Sequence, residues 1–228
     1  MEPKELYYIL YKKFAKRNWW PVDKKYHEKN GSDQRFEVIV GAILTQNTAW
    51  SNVEKALINL KKTQMLDINS IINADIKVLT ELIKPSGFFN QKADRLKIIC
   101  NFFHKEFDNN LDKFFNRNIT QIRHELLSLK GIGPETADSI LLYAGYKSIF
   151  VVDAYTKRIC ERIPIPTKLS YDEIQEYFQN NLSKNFESKK LVEIYNEFHA
   201  LIVEFAKTYC KKKPNCEKCP IKSKCNFI

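Results

Sequence analysis

The sequence predicts an all-α protein. Apolar residues recur at helical spacing through most of its 228 residues. Only Ile149–Val152 has strand character, and it finds no second convincing strand to pair with. The stretch from Leu126 to Asp138 reads as two helices joined by a tight Gly-Ile-Gly turn. The chain is long enough to bury a real core, as one large domain or two interlocked lobes. A hydrophobic fraction of 44% and an aromatic fraction of 13% mark it as folded. The formal charge of +10 points to a polyanionic partner. No apolar run is long enough to span a membrane, and the N-terminus lacks the uninterrupted apolar run of a signal peptide. A cytoplasmic, reducing environment is therefore expected, where cysteines serve as metal ligands or buried thiols.

The elements follow in order. Residues 5–17 keep a helical face with Leu6, Ile9, Leu10 and Phe14. Trp19-Trp20-Pro21 reads as an extended or turning segment, its indoles available to cap a core. Residues 23–34 are polar and read as a loop. Phe36–Leu44 opens a helix. The polar break Thr45–Trp50 follows, with Gln46 the natural surface probe, and then a helix carrying Val53, Ala56, Leu57 and Leu60. One or two helices fit 67–83. Pro85 and Gly87 stop them, and Ala93, Leu96 and Ile99 resume the pattern. Ile149–Val152 is taken as a buried extended connector. Asp153 starts a helix that Pro164 and Pro166 end, and residues 171–182 and 189–207 form two more helices.

Two stretches carry chemistry. In the hairpin (about 122–143), Gly131 and Gly133 permit a tight turn, and Pro134 suits a first helical position. The amides of Gly131, Ile132 and Gly133, with the new helix N-terminus, make a site for one phosphate. Lys130 adds a cation, so the motif reads as a grip on a nucleic-acid backbone. Asp153 is a carboxylate a fixed distance along the chain, and equally a good helix N-cap. The second stretch is the tail, where Cys210, Cys216, Cys219 and Cys225 are spaced C-x5-C-x2-C-x5-C among six lysines. Four thiolates there form a soft four-sulfur site, open to zinc or to a [4Fe–4S] cluster.

These segments together resemble the endonuclease III, or helix-hairpin-helix-GPD, superfamily of DNA base-excision glycosylases, over about Trp19 to Cys225. Trp19-Trp20-Pro21, Ile43–Thr48, Pro85–Ala93 and Phe198–Phe205 are similar in wording to its 3-methyladenine DNA glycosylase III branch. The resemblance implies a six-helix lobe at 36–147 carrying the hairpin. It implies a second lobe of 1–35 plus 148–228 with a cluster loop at 210–225, and an active site in a cleft between lobes. It favours [4Fe–4S] over zinc, although the first cysteine gap differs from the usual family pattern by one residue. It makes Asp153 the catalyst, Gln46 a wedge, and Trp19, Trp20, Trp50 and Phe88 the base-pocket candidates. Strand-nicking members carry a lysine two residues after the second hairpin glycine. Here that position is Glu135, which cannot form a Schiff base.

The expectation is a monomeric, nucleoid-associated DNA N-glycosylase acting on double-stranded DNA with a damaged base. It releases an alkylated purine such as 3-methyladenine without cutting the strand. The alternatives are an oxidised-pyrimidine or mismatch glycosylase, with or without lyase activity, and a non-catalytic DNA-binding protein. His199 reads as a packed core histidine.

Overall fold

A computed structural model describes residues 1–166 and 170–227, and the chain is all-helical among them, with no strand. The α-helices run α1 (Pro3–Phe14), α2 (Lys24–Asn30), α3 (Gln34–Leu44), α4 (Trp50–Lys62), α5 (Ile68–Asn73), α6 (Ile76–Ile83), α7 (Phe89–Phe107) and α8 (Leu111–Phe115). They continue with α9 (Ile119–Ser128), α10 (Pro134–Ser139), α11 (Ala154–Arg162), α12 (Tyr171–Asn185) and α13 (Leu191–Thr208). The helices form two compact units: residues 20–145, and residues 1–19 with 146–228.

The first unit centres on α3 and α7. Residues Phe36 to Leu44 are all buried, so α3 is enclosed on every side. α7 packs on α3, α5, α6 and α8, and Phe103, Phe107 and Phe114 meet edge-on with centroids 5.0–5.1 Å apart. Two features differ from the sequence reading. Residues 36–147 hold eight α-helices, because four of them are eight residues or shorter and carry little periodic signal. The segment 20–35, assigned from sequence to the other lobe, clusters here and is partly helical. Asp23 caps α2, accepting from the Tyr26 amide at 3.1 Å, and Gly31 closes it at φ +60°.

A buried carboxylate ties α2 down. Glu37 on α3 accepts from His27 at 2.9 Å, from Lys61 at 2.8 Å and from the Asp23 amide at 3.1 Å. Burial pushes Glu37 upward, but His27 and Lys61 outweigh it and hold the carboxyl below its usual range.

In the second unit, α13 packs against α1 and α11, and α12 against α1 and α11. The connector at 149–152 has no ladder, as expected: the Ile149 amide donates to the Lys147 carbonyl at 2.9 Å, and the polar groups of Phe150 go to side chains. Gln179 accepts from the Phe150 amide at 2.9 Å, and Gln175 donates to the Phe150 carbonyl at 2.6 Å. The Phe150 ring stacks on Phe178 at 4.8 Å. The connector is thereby fixed, and so is the residue that follows it, Asp153.

Candidate active site and cysteine loop

The hairpin turn has the conformation its glycines allow. Gly131 sits at φ +87°, and Gly133 is extended as the cap of α10, with Pro134 in the first turn. The Ile132 amide donates to the Leu129 carbonyl at 3.0 Å, and its side chain is buried. Ile132 therefore closes and anchors the turn, so the Gly131 and Gly133 amides are the phosphate donors left to consider. Lys130 and Glu135 are exposed beside the tip. Asp138, fully buried, accepts from Arg123 at 2.7 and 3.2 Å, which ties α10 to α9.

Gln46 was expected as a surface probe, and its amide is instead built into the hairpin. Its Nε2 donates to the Gly131 carbonyl at 3.0 Å and to Thr136 Oγ1 at 2.9 Å. Arg95, from α7, donates to its Oε1. The Arg95 side chain lies across Gly131 so closely that a Cβ there would collide with its Nε. Arg95 and Thr136 are site components that sequence reading missed, because α7 and Gln46 are both distant from the hairpin in the chain.

Trp20 and Trp50 come together edge-to-face, with ring centroids 5.1 Å apart and planes at 88°. Tyr143 joins Trp20 at 5.2 Å. Gly41 makes room on α3, since a Cβ there would lie 2.9 Å from the Trp20 ring. Tyr143 lies in a π-turn, Ile140–Ala144, that continues α10. One extra residue in a turn changes which side chain faces the indole, and period 3.6 gives no warning of it. Trp19 is half-buried and belongs to the other unit. Phe88 is 61% exposed at φ +46°, so it does not wall an enclosed pocket.

Asp153 is both buried and N-capping. Its Oδ1 accepts from the Thr156 amide at 2.7 Å and from Thr156 Oγ1 at 2.8 Å. Its Oδ2 lies 3.6 Å from His199 Nε2. Burial pushes the carboxyl up, but His199 and the two Thr156 bonds prevail and hold it below its usual range. A buried carboxylate that stays ionised can stabilise positive charge.

All four tail cysteines line one concavity, walled by Ile159, Ile163, Phe205 and Ile221. Burial pushes the Cys219 thiol up, and the Cys210, Cys216 and Cys225 thiols add to it, so the four sulfurs feel one another. Arg162, at the end of α11, donates to Cys210 Sγ at 3.3 Å and to the Lys211 carbonyl at 2.7 Å, and stacks 4.1 Å from the Phe227 ring centroid. No group of three or more His, Cys, Asp or Glu is drawn to single-ion distance among the described residues. The donor set fits a soft metal centre in chemistry and in enclosure.

Residues 40–184 match the family described as HhH-GPD superfamily base excision DNA repair protein, well over half the chain. The chain belongs to the HhH-GPD superfamily. Its hairpin, Gln46, Trp50 and Asp153 lie inside the matched span, whereas Trp20, His199 and the four tail cysteines lie outside it. A protein of Methanocaldococcus jannaschii with the provisional name DNA repair glycosylase is 48% identical over 97% of this chain and 94% of its own. The structure of the Helicobacter pylori 3-methyladenine DNA glycosylase bound to 1,N6-ethenoadenine superposes with a TM-score of 0.76, at 33% identity over 91% of this chain and 98% of that one. A trapped endonuclease III–DNA covalent intermediate shares the fold, with a TM-score of 0.69 at 17% identity over 99% and 96%. This HhH-GPD protein is accordingly a DNA glycosylase of the base-excision type. None of its described helices is long and apolar enough to cross a membrane.

Proposed function

We propose that this glycosylase is monofunctional and releases alkylated purines from double-stranded DNA, acting as a monomer. The observation that carries the reading is the Trp20–Trp50 pair with Tyr143 against it. An alkylated purine such as 3-methyladenine is cationic, and electron-rich ring faces attract a desolvated cation by about 1–2 kcal/mol. That base is already a good leaving group, so the site needs little acid catalysis. The H. pylori relative is itself named for 3-methyladenine and holds a modified adenine, which supports the same choice.

The roles divide among the residues described. The flipped base enters the tryptophan pocket, and the hairpin holds the backbone through the Gly131 and Gly133 amides with Lys130 beside them. Gln46, bridging Gly131, Thr136 and Arg95, stiffens that grip and reaches the vacated space only by exchanging those bonds for DNA. As the glycosidic bond breaks, Asp153 stabilises positive charge on the sugar and orients the attacking water. Glu135 stands where a lyase would carry its amine, so no Schiff base forms at that position. Cys210, Cys216, Cys219 and Cys225 would hold a [4Fe–4S] cluster, a structural staple that would fix the loop whose lysines offer a second phosphate contact.

One panel tests the reading. Duplexes carrying 3-methyladenine, thymine glycol, uracil, 8-oxoguanine or a mismatch are incubated with the protein and analysed with and without hot alkali. The expected result is release from the alkylated duplex, with strand breaks only after alkali. A covalent adduct trapped by borohydride overturns monofunctional action. Visible absorption together with iron and acid-labile sulfide supports the cluster, whereas colourless protein with zinc refutes it.

A further inference from the structure

The two oxygens of Asp153 are held in different ways. Oδ1 takes two bonds from Thr156, at 2.7 and 2.8 Å, and these belong to the cap of α11. They fix one edge of the carboxylate but say nothing of the other. Oδ2 faces His199 Nε2 at 3.6 Å. His199 comes from α13, more than forty residues away, and both side chains are about a tenth exposed. A helix cap needs one oxygen and no second partner. The histidine on Oδ2 is therefore surplus to the structural role of Asp153.

We propose that His199 is a positioning residue for base excision, its Nε2–H fixing the Asp153 Oδ2 that faces the charge developing on the sugar. The inference rests on the reading of Asp153 as the catalytic carboxylate. A carboxylate free to turn about its Cβ–Cγ bond would spread its charge over several directions. Held at both oxygens, it presents one fixed anionic edge, and its reorganisation is settled before the bond breaks. The distance lies just beyond a direct hydrogen bond. Such contacts commonly tighten once substrate is bound. The role requires a hydrogen on His199 Nε2 and sets no condition on Nδ1.

The test uses the full-length protein with its metal centre and duplex DNA methylated by a methylating agent. It compares wild type with His199→Gln, His199→Asn, His199→Leu and Asp153→Asn. Glutamine carries its amide nitrogen where histidine has Nε2, and asparagine carries it where histidine has Nδ1. Free-base release is read under single turnover, and affinity is read separately on undamaged duplex. Misplacing a reacting group by about 1 Å costs up to about a hundredfold. His199→Gln should stay within about threefold of wild type. His199→Asn and His199→Leu should be at least about tenfold slower at unchanged affinity.

Equal rates for Gln and Asn, fast or slow, overturn the inference, as does a wild-type rate for a folded Leu variant. If His199→Leu does not fold, the Gln–Asn comparison decides alone. Wild-type release by Asp153→Asn overturns the catalytic reading itself, a failure distinct from loss of the histidine's role.

Discussion

The hairpin and the Asp153 site solve the problem of holding a polar group still by opposite means. The hairpin uses shape: Gly131 at positive φ, Arg95 laid into its notch, and a neutral amide bridging three groups. The Asp153 site uses charge, a buried anion held by a hydroxyl, an amide and an imidazole. The hairpin should then tolerate a change of charge better than a change of size, and the Asp153 site the reverse.

Asp153→Asn is the sharpest break, since it keeps the size and removes the charge. Asparagine still caps a helix, so melting should shift little. Base release should fall about a hundredfold to a thousandfold, the cost of losing one preorganised electrostatic contact. Affinity for undamaged duplex should hold. A proportional loss of affinity and rate would show that Asp153 only supports the fold.

Lys92 supplies the counter-case, a charge inside the hairpin unit that serves as a strap. It is fully buried and donates to the Leu44 carbonyl at 2.8 Å and the Ser86 carbonyl at 2.7 Å. It thus joins the end of α3 to the turn before α7. Lys92→Met keeps the volume and leaves two buried carbonyls unpaired. Chemical denaturation should show a loss of about 2–3 kcal/mol. Burial pulls this lysine down to about 8. The unfolded chain binds its proton up to about pH 10.4. Stability from this group therefore grows as pH rises between those values, and Lys92→Met should flatten that slope.

Gly131→Ala tests size in the hairpin. The added Cβ meets Arg95 and sits at φ +87°, so a loss of about 1–3 kcal/mol is expected with weaker DNA binding. Arg95→Ala in the same chain should relieve the collision and leave the backbone strain. A partial rescue in the double-mutant cycle separates the two.

What could be read in the sequence follows the same division. The Gly131-Ile132-Gly133-Pro134 turn, the capped start at Asp153 and the four-cysteine spacing are local patterns, and each is legible in a few residues. The contacts that give them function are not. Arg95 reaches Gly131 from 36 positions away, and His199 faces Asp153 from another helix. His199 read as core because its neighbours on α13 are apolar, and it is indeed buried. Burial alone could not reveal that a carboxylate is buried beside it. α2 was missed although Asp23 and Gly31 mark its two ends, because a seven-residue polar helix lacks an apolar stripe. Tyr143 needed the π-turn to reach Trp20.

The smallest expected effect is the acid dependence of Asp153. His199 and Thr156 hold its folded-state pKa below the ordinary value in spite of burial. A carboxyl depressed on folding stabilises the native state above its unfolded pKa of about 3.9. That stability fades as pH falls through the lower folded value, because the unfolded chain takes up the proton first. Asp153 should therefore stay ionised through the mildly acidic range, and should not set an acid limb on base release above about pH 4. Denaturation series from pH 7 to pH 3 should show wild-type stability falling relative to Asp153→Asn only at the acid end. His199→Leu should move that loss to higher pH, because it removes a group holding the carboxylate ionised while leaving the burial that opposes it. An unmoved profile would mean that the Thr156 cap alone keeps Asp153 charged.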